Sequence, residues 1–423
     1  MKVSFHTFGC KLNQAETDEL KKDLVKLGFS VVPIEHGENI AIVRACAVTS
    51  GASQSTRAMI RRLKRSGAYV IAVGCLENKN IAEIDFVARN NEEVIKHVIA
   101  RSGATKQSLK LGIASSPRPC NGAPRNDSKD RTRAFIKIQT GCNFNCAYCI
   151  VPSFRGRAQS VPAEKIIAKI KSAEKDGYLE IVLTGVNICQ YHDGATNLTA
   201  LLKKILEETK IPRLRLGSLD PRLISNRLIH LYSQSPRLLP HWHLSLQSGS
   251  DITLKKMNRL YTAKKYLEIV NKLRKSNPLF SFTTDIIIGF PGEDEEDFAA
   301  TCALVKKIQF GKVHIFPFSP RPNTQAAKMP DQVSDKIKTS RAEKLKTIAD
   351  QATKEFARQF IGRGSAVLFE HKKSSAWWGY TPEYLRVKSK SAKNLKNKIV
   401  NIEINHKLSE RFNRLGNLSL FFY

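Results

Sequence analysis

The chain has 423 residues, enough for two or three domains, and 42% of them are hydrophobic, which excludes a disordered tail. Lys and Arg outnumber Asp and Glu by 69 to 38, a net charge of +31, and so large an excess favours a polyanionic partner such as nucleic acid. No apolar run approaches the ~18 residues of a membrane span and residues 1–10 lack a signal core, so a cytoplasmic protein without a membrane partner is expected.

The first hundred residues alternate strand and helix. Residues 3–8, 40–43 and 69–73 read as buried strands, and 16–27 and 54–63 as the helices between them. This predicts an open parallel α/β sheet, whose ligands bind beyond the C-terminal strand ends. Cys10, Cys46 and Cys75 each follow one of these strands, so three cysteines distant in sequence are expected on one sheet edge. Residues 101–133, rich in Gly, Ser, Pro and Asn, read as a linker that contains an incidental Cys120.

Alternation resumes at Ala134. Residues 134–139, 180–184, 213–217, 242–247, 281–288 and 312–316 read as strands, with helices such as 163–176, 198–209 and 295–308 between them. Six such units predict a partial (β/α)6 barrel with its site at the C-terminal mouth. A charged helix over 334–360 closes this unit, which spans 134–361. The final residues, 362–423, read as short strands of a small β-barrel, with 12 Lys and Arg against 4 Glu. Trp377, Trp378, Tyr380 and Tyr384 lie among these cations, a pattern that suits base stacking on RNA and equally suits a small aromatic core.

Nine cysteines in a chain without an export signal point to metal or redox chemistry more than to disulfides. The strongest local signal is Cys142-Asn143-Phe144-Asn145-Cys146-Ala147-Tyr148-Cys149, at the mouth of the first barrel strand. Three thiolates can hold three irons of a cubane cluster and leave the fourth open to chelate S-adenosylmethionine. A zinc site would need a fourth ligand at knuckle spacing, and no further cysteine follows until Cys189. Tyr148 is either a packing aromatic or a neighbour of the cofactor's adenine. Cys10, Cys46 and Cys75 could be core cysteines, but their strand-end positions beside Gly9 and Gly74 favour a second cluster.

Over nearly its whole length the sequence resembles the radical methylthiotransferases. Thr7-Phe8-Gly9-Cys10-Lys11-Leu12-Asn13-Gln14-Ala15-Glu16-Thr17 is similar to the branch acting on N6-threonylcarbamoyladenosine in tRNA. Relatives acting on isopentenyladenosine or on a ribosomal-protein aspartate carry Gln-Met-Asn or a Pro-Lys-Asn variant after this cysteine. The segments from Lys137 to Gly156, Leu183 to Asn187, Leu246 to Asp251, Thr284 to Glu293 and Pro317 to Pro322 also match the family. The tail is similar to its RNA-binding, TRAM-like β-barrel. Where the family commonly has Asn-Thr-Cys and Gly-Cys-Tyr, this chain has Arg44-Ala45-Cys46 and Gly74-Cys75-Leu76.

The resemblance implies a radical-SAM barrel and two 4Fe–4S clusters, on Cys10, Cys46 and Cys75 and on Cys142, Cys146 and Cys149. It implies S-adenosylmethionine held near Gly185, Asn187, Gln247, Ser248 and Gly249, and methylthiolation of an anticodon-loop adenosine. An electron donor and a sulfur source are also required, and a monomer is expected. The alternatives are a methylthiotransferase for isopentenyladenosine or a ribosomal-protein aspartate, and a non-enzymatic zinc and RNA-binding protein.

Overall fold

The computed structural model describes residues 1–33, 40–76, 81–102 and 131–405, and the chain divides into two compact units after Arg131. Cys120 and most of the expected linker lie outside the described residues, as do residues 406–423.

The first unit is a five-stranded parallel sheet in the order β2-β1-β3-β4-β5. Its strands are β1 (Lys2–Thr7), β2 (Ser30–Val31), β3 (Ile40–Ala45), β4 (Tyr69–Gly74) and β5 (Phe86–Ala88). The burial of β3 is continuous, as both faces of a parallel sheet are covered. Val3, Ile40, Ile42, Ile71 and Val73 pack on Leu20, Leu24, Val94 and Val98 of helices Lys11–Lys26 and Asn91–Ser102. Ala41, Val43 and Val70 pack on Ile60 and Leu63 of helix Ser50–Arg65 on the other face. The sequence reading missed β2, β5 and the helix ending at Ser102. It also began the first helix five residues late, because the polar first turn carries no apolar stripe.

The second unit contains six parallel barrel strands. β6 (Arg133–Lys137) pairs β9 (Glu180–Thr184), which pairs β12 (Arg213–Leu216). Before β9 come the two-residue strands β7 (Gln139–Thr140) and β8 (Gln159–Ser160), paired antiparallel across the cysteine loop, and after it the hairpin of β10 (His192–Asp193) and β11 (Thr196–Asn197). The third barrel strand breaks at Gly217, where β13 (Ser218–Leu219) leaves β9 and pairs β14 (His241–Leu244). β15 (Ser281–Ile288) and β16 (Lys312–Pro317) complete the wall. Trp242, Phe282, Ile286 and Leu214 face outward and bury against the helices. Helix Glu295–Ile308 starts where expected because Asp294 and Asp297 form a reciprocal capping box.

The tail holds a four-stranded antiparallel sheet in the order β19-β18-β17-β20. The strands are β17 (Gly364–Lys373), β18 (Ala376–Tyr380), β19 (Arg386–Ser389) and β20 (Lys398–Glu403). Among the described residues the two edge strands, β19 and β20, do not pair, so the expected small β-barrel is observed as a sheet.

This sheet forms the floor of the barrel. Arg133, Glu180 and Arg213 are the first residues of their strands. Arg215 Nε donates to Glu180 at 2.9 Å, and Arg215 Nη1 donates to the Pro382 carbonyl at 3.1 Å. Arg133 donates to Glu370 at 2.8 Å and to the Tyr384 hydroxyl at 3.1 Å. Burial pushes the Glu180 carboxyl up, but Arg215, Arg133 and Arg213 outweigh it and hold it below the usual range. Tyr380 and Tyr384 stack on each other with centroids 4.7 Å apart, and His241 lies against Tyr384. Trp377 is buried in the sheet core and the Arg386 guanidinium covers Trp378 at 4.5 Å. The aromatics read as RNA-stacking candidates therefore hold the sheet together and seal the barrel.

Candidate functional site

In the first unit, β1 and β3 are neighbours whose following helices cover opposite faces, the switch point at which doubly wound sheets bind ligands. Register aligns Thr7 with Arg44 and Ala45 with Gly74, so Cys10, Cys46 and Cys75 leave the sheet at one level. Cys10 is the N-cap of helix Lys11–Lys26, at its positive end. Asn13 Nδ2 donates to the Phe8 carbonyl at 2.7 Å and to the Ala45 carbonyl at 3.1 Å, lacing the Cys10 and Cys46 loops together. A Cβ at Gly9, whose φ is +89°, would stand 2.6 Å from Cys46 Sγ, so only glycine admits that sulfur.

Burial pushes the Cys46 thiol up to about 11, with Cys10 and Cys75 adding to the rise, and burial raises Cys75 likewise. Three thiols that penalise one another's ionisation are close neighbours, and a cation must neutralise them before all three ionise. Arg44, which departs from the family, turns to Glu16 at 3.1 Å and Thr17 at 3.0 Å in a buried network that Asn91 completes. Burial lowers its pKa against the opposing charge of Glu16. Leu76 packs on Ala45 and Ala72.

In the second unit, the loop carrying the other three thiols is fixed by its backbone. Cys142 N donates to Gly156 O at 3.1 Å, Ala147 N to Met257 O at 3.0 Å, and Cys149 N to Cys146 O at 3.0 Å. Cys142 Sγ accepts from Phe144 N and from Gln190 Nε2, both at 3.5 Å. Burial pushes Cys149 up to about 12, and Cys146 and Cys142 add to the rise. Cys189 is not a fourth member, since its Sγ accepts from the Asp220 N–H at 3.4 Å. Both trios fit a 4Fe–4S cluster with one open iron: the thiols of each act on one another electrostatically, no fourth cysteine joins either set among the described residues, and N–H donors reach sulfur in the second.

The expected cofactor neighbours are placed differently from one another. Tyr148 packs against Met257, Phe290 and Phe318, and burial raises its phenol well above the usual range despite Arg259. Asn187 Oδ1 caps the turn at Cys189 N, its own N–H donates to Gln139 Oε1 at 3.0 Å, and Gly185 packs on that same glutamine. Gln247 has φ +68° and bridges to Asp285 and Ile287. Ser248 and Gly249 turn to helix Glu295–Ile308, where Gly249 N donates to Thr301 Oγ1 at 2.9 Å. A Cβ at Gly249 would meet Thr301 Cα at 2.5 Å, so this glycine serves close packing.

Two groups escaped the sequence reading. Inside the barrel, His243 contacts Thr283 at 3.0 Å and Asp285 at 3.2 Å, with His314 next to them. After the third and fourth strands, Asp220, Arg222 and Arg259 surround Cys146. Alternation along β14, β15 and β16 could have found the first group. No sequence signal points to the second.

Known proteins resemble the chain over most of its length. Residues 136–305 match the radical SAM superfamily, and residues 2–96 match a family described as uncharacterized protein family UPF0004. The threonylcarbamoyladenosine tRNA methylthiotransferase MtaB of Thermotoga maritima is 36% identical over 87% of this chain and 86% of its own length. The Bacillus subtilis protein of that name is 32% identical over 95% and 93%. A tRNA-2-methylthio-N(6)-dimethylallyladenosine synthase of Thermodesulfovibrio yellowstonii is 33% identical over 88% of each. The fold is shared with the radical S-adenosylmethionine methyltransferase TsrM of Kitasatospora setae, at TM-score 0.58 and 13% identity over 77% of each chain. With about a third of its residues identical to such relatives along nearly their whole length, the chain belongs to the radical S-adenosylmethionine methylthiotransferase family.

Proposed function

We propose that the protein is a tRNA methylthiotransferase that replaces the C2 hydrogen of N6-threonylcarbamoyladenosine, in the anticodon loop, with a methylthio group. The observation that carries this reading is the presence of two three-thiol sets, one at the sheet switch point and one at the barrel mouth. An aromatic C–H has no acidic proton and no leaving group, so acid–base chemistry cannot open it and a radical cofactor is needed. When bound, the clusters and S-adenosylmethionine supply one-electron bond cleavage, hydrogen removal from carbon and a sulfur to transfer.

In this reading Cys142, Cys146 and Cys149 hold the cluster that cleaves the cofactor, with Tyr148 and Gln247 near its adenosine. Cys10, Cys46 and Cys75 hold the sulfur station. The +31 charge draws in the tRNA, and the work is cytoplasmic, with an electron donor and a sulfur source as further partners. The threonylcarbamoyl substrate is supported by the Lys11-Leu12-Asn13-Gln14 motif and by the MtaB relatives. The dimethylallyl relatives support isopentenyladenosine as the second reading.

Mass spectrometry of tRNA nucleosides from cells with and without the gene decides between them. Loss of the 2-methylthio form of threonylcarbamoyladenosine alone is expected. Loss of the isopentenyl form alone overturns the substrate, and no change in either overturns the function.

A further inference from the structure

The three sulfurs of the barrel-mouth loop are not electrically equivalent. Cys142 accepts from neutral donors, the Phe144 amide and the Gln190 side chain. Cys146 instead meets two guanidinium groups, Arg259 Nη1 at 3.6 Å and Arg222 Nη2 at 3.8 Å. They come from different loops and are held by one carboxylate. Asp220 Oδ2 lies 2.7 Å from Arg222 Nη2 and 3.1 Å from Arg259 Nη1, while Asp220 Oδ1 accepts Arg222 Nε at 2.9 Å. The Arg222 guanidinium also stacks 3.4 Å over the Phe144 ring, and Arg259 is braced by Tyr261 and the Ser245 carbonyl. The side chains of Asp220, Arg222 and Arg259 are 5%, 8% and 7% exposed.

Two cations and one anion leave a net charge of +1 in contact with Cys146 and within electrostatic reach of Cys142 and Cys149, where water cannot screen it. A cluster that accepts an electron becomes one charge more negative. A fixed positive group at a ligand sulfur stabilises that state more than the oxidised one, and hydrogen bonds to sulfur act in the same direction. We infer that Asp220, Arg222 and Arg259 form a tuning device that raises the reduction potential of the cluster on Cys142, Cys146 and Cys149 through Cys146. The inference rests on the cluster placement given under Proposed function. Arg222 and Arg259 supply the charge; Asp220 fixes their geometry and trims their sum to one.

The signs make this separable from a structural role. In the anaerobic full-length holoenzyme, the radical cluster is identified as the one whose reduced EPR signal changes on addition of S-adenosylmethionine. Its midpoint potential is then measured by redox titration. Arg222→Gln removes a positive charge, so the equilibrium constant for reduction should fall about tenfold or more, a shift of about 59 mV for one electron. Asp220→Asn keeps the shape and removes the negative charge, so the constant should rise by a similar factor. The double variant should return close to the unsubstituted protein.

Shifts under threefold in both single variants, with iron content intact, overturn the inference. So does a weaker affinity for S-adenosylmethionine at unchanged potential, which would assign the arginines to the cofactor's carboxylate. If Arg222→Gln fails to assemble a cluster, the rise expected of Asp220→Asn still decides the matter. If the unsubstituted protein has no signal sensitive to S-adenosylmethionine, the cluster placement itself fails.

Discussion

The Arg215 guanidinium lies 4.6 Å above the ring of Tyr384, although the two residues are 169 positions apart in the chain. Arg215 is fully buried, and its neighbours are Glu180 and the turn around Pro382. Tyr384→Ala should therefore remove both a stacked aromatic and the cover of a buried cation, and cost about 3 kcal/mol. Urea unfolding followed by circular dichroism measures it. A chain ending before Gly362 should lose S-adenosylmethionine cleavage as well as RNA binding. A soluble truncated barrel of unchanged stability would show the floor to be dispensable.

Asn13→Ala leaves the Phe8 and Ala45 carbonyls without their shared donor, a loss of about 1–3 kcal/mol confined to the first sheet. Iron per chain should drop toward half while 5′-deoxyadenosine is still produced. Asn13→Asp should lose the lacing as the alanine does, since one oxygen would keep the Arg155 Nη2 donor held at 2.6 Å while the other faced the two carbonyls. Full iron in both variants would separate the lacing from cluster binding.

The raised thiols give the cluster-free protein a definite pH response. The pKa of Cys46 is about 11 and that of Cys149 about 12, against ~8.5 for a free thiol. A group raised in the folded state adds stability that is complete below the unfolded value and is lost as pH climbs toward the folded one. The cluster-free protein should thus lose stability from about pH 8.5 upward, a window set by these cysteines. Cys46→Ser and Cys149→Ser together should shrink the decline, the remainder resting on the other raised thiols such as Cys189, which burial pushes up to about 12. Alkylation of Cys149 should rise about tenfold per pH unit between pH 7 and 9 without reaching a plateau.

Lys390 and Lys393, in the connection after β19, and Lys398 at the start of β20 are exposed, whereas the aromatics of the C-terminal sheet are engaged internally. RNA binding by this sheet should rest on charge. Replacing the three lysines with alanine should weaken tRNA binding equally for any sequence and lower the slope of log K against log salt by about 2.7, at ~0.9 per phosphate contact. Tyr380→Phe should leave the slope unchanged. An unchanged slope in the lysine variant would place the RNA elsewhere.

Much of this was legible in the sequence, for identifiable reasons. The strands Glu180–Thr184 and Ser281–Ile288 were read to the residue because apolar, mostly β-branched residues, 181–183 and 286–288, stand just before a glycine in each. Cys10, Cys46 and Cys75 were legible from their strand-end positions, and Cys142, Cys146 and Cys149 from their spacing within one loop. The Asp220, Arg222 and Arg259 cluster was not, since it draws on separate loops that only the closed barrel juxtaposes. The packing of Ser248 and Gly249 on Thr301 was not legible, since a Gly beside Ser carries no mark of the helix that presses against it. The tail aromatics left two readings open for a related reason: composition reports that rings and cations coexist, not which way they face, and the structure takes the core reading for Trp377, Tyr380 and Tyr384.

The floor also orders events during synthesis. Arg133 opens the first barrel strand and Tyr384, to which it donates, emerges 251 residues later. Until the ribosome has passed that tyrosine, the starts of three strands carry buried-type charges with no lid. Long-range closure of this kind is slow and comes last. A nascent or prematurely terminated chain thus displays its iron-binding loop before it owns a finished barrel, and metal delivery is best matched to released, full-length protein.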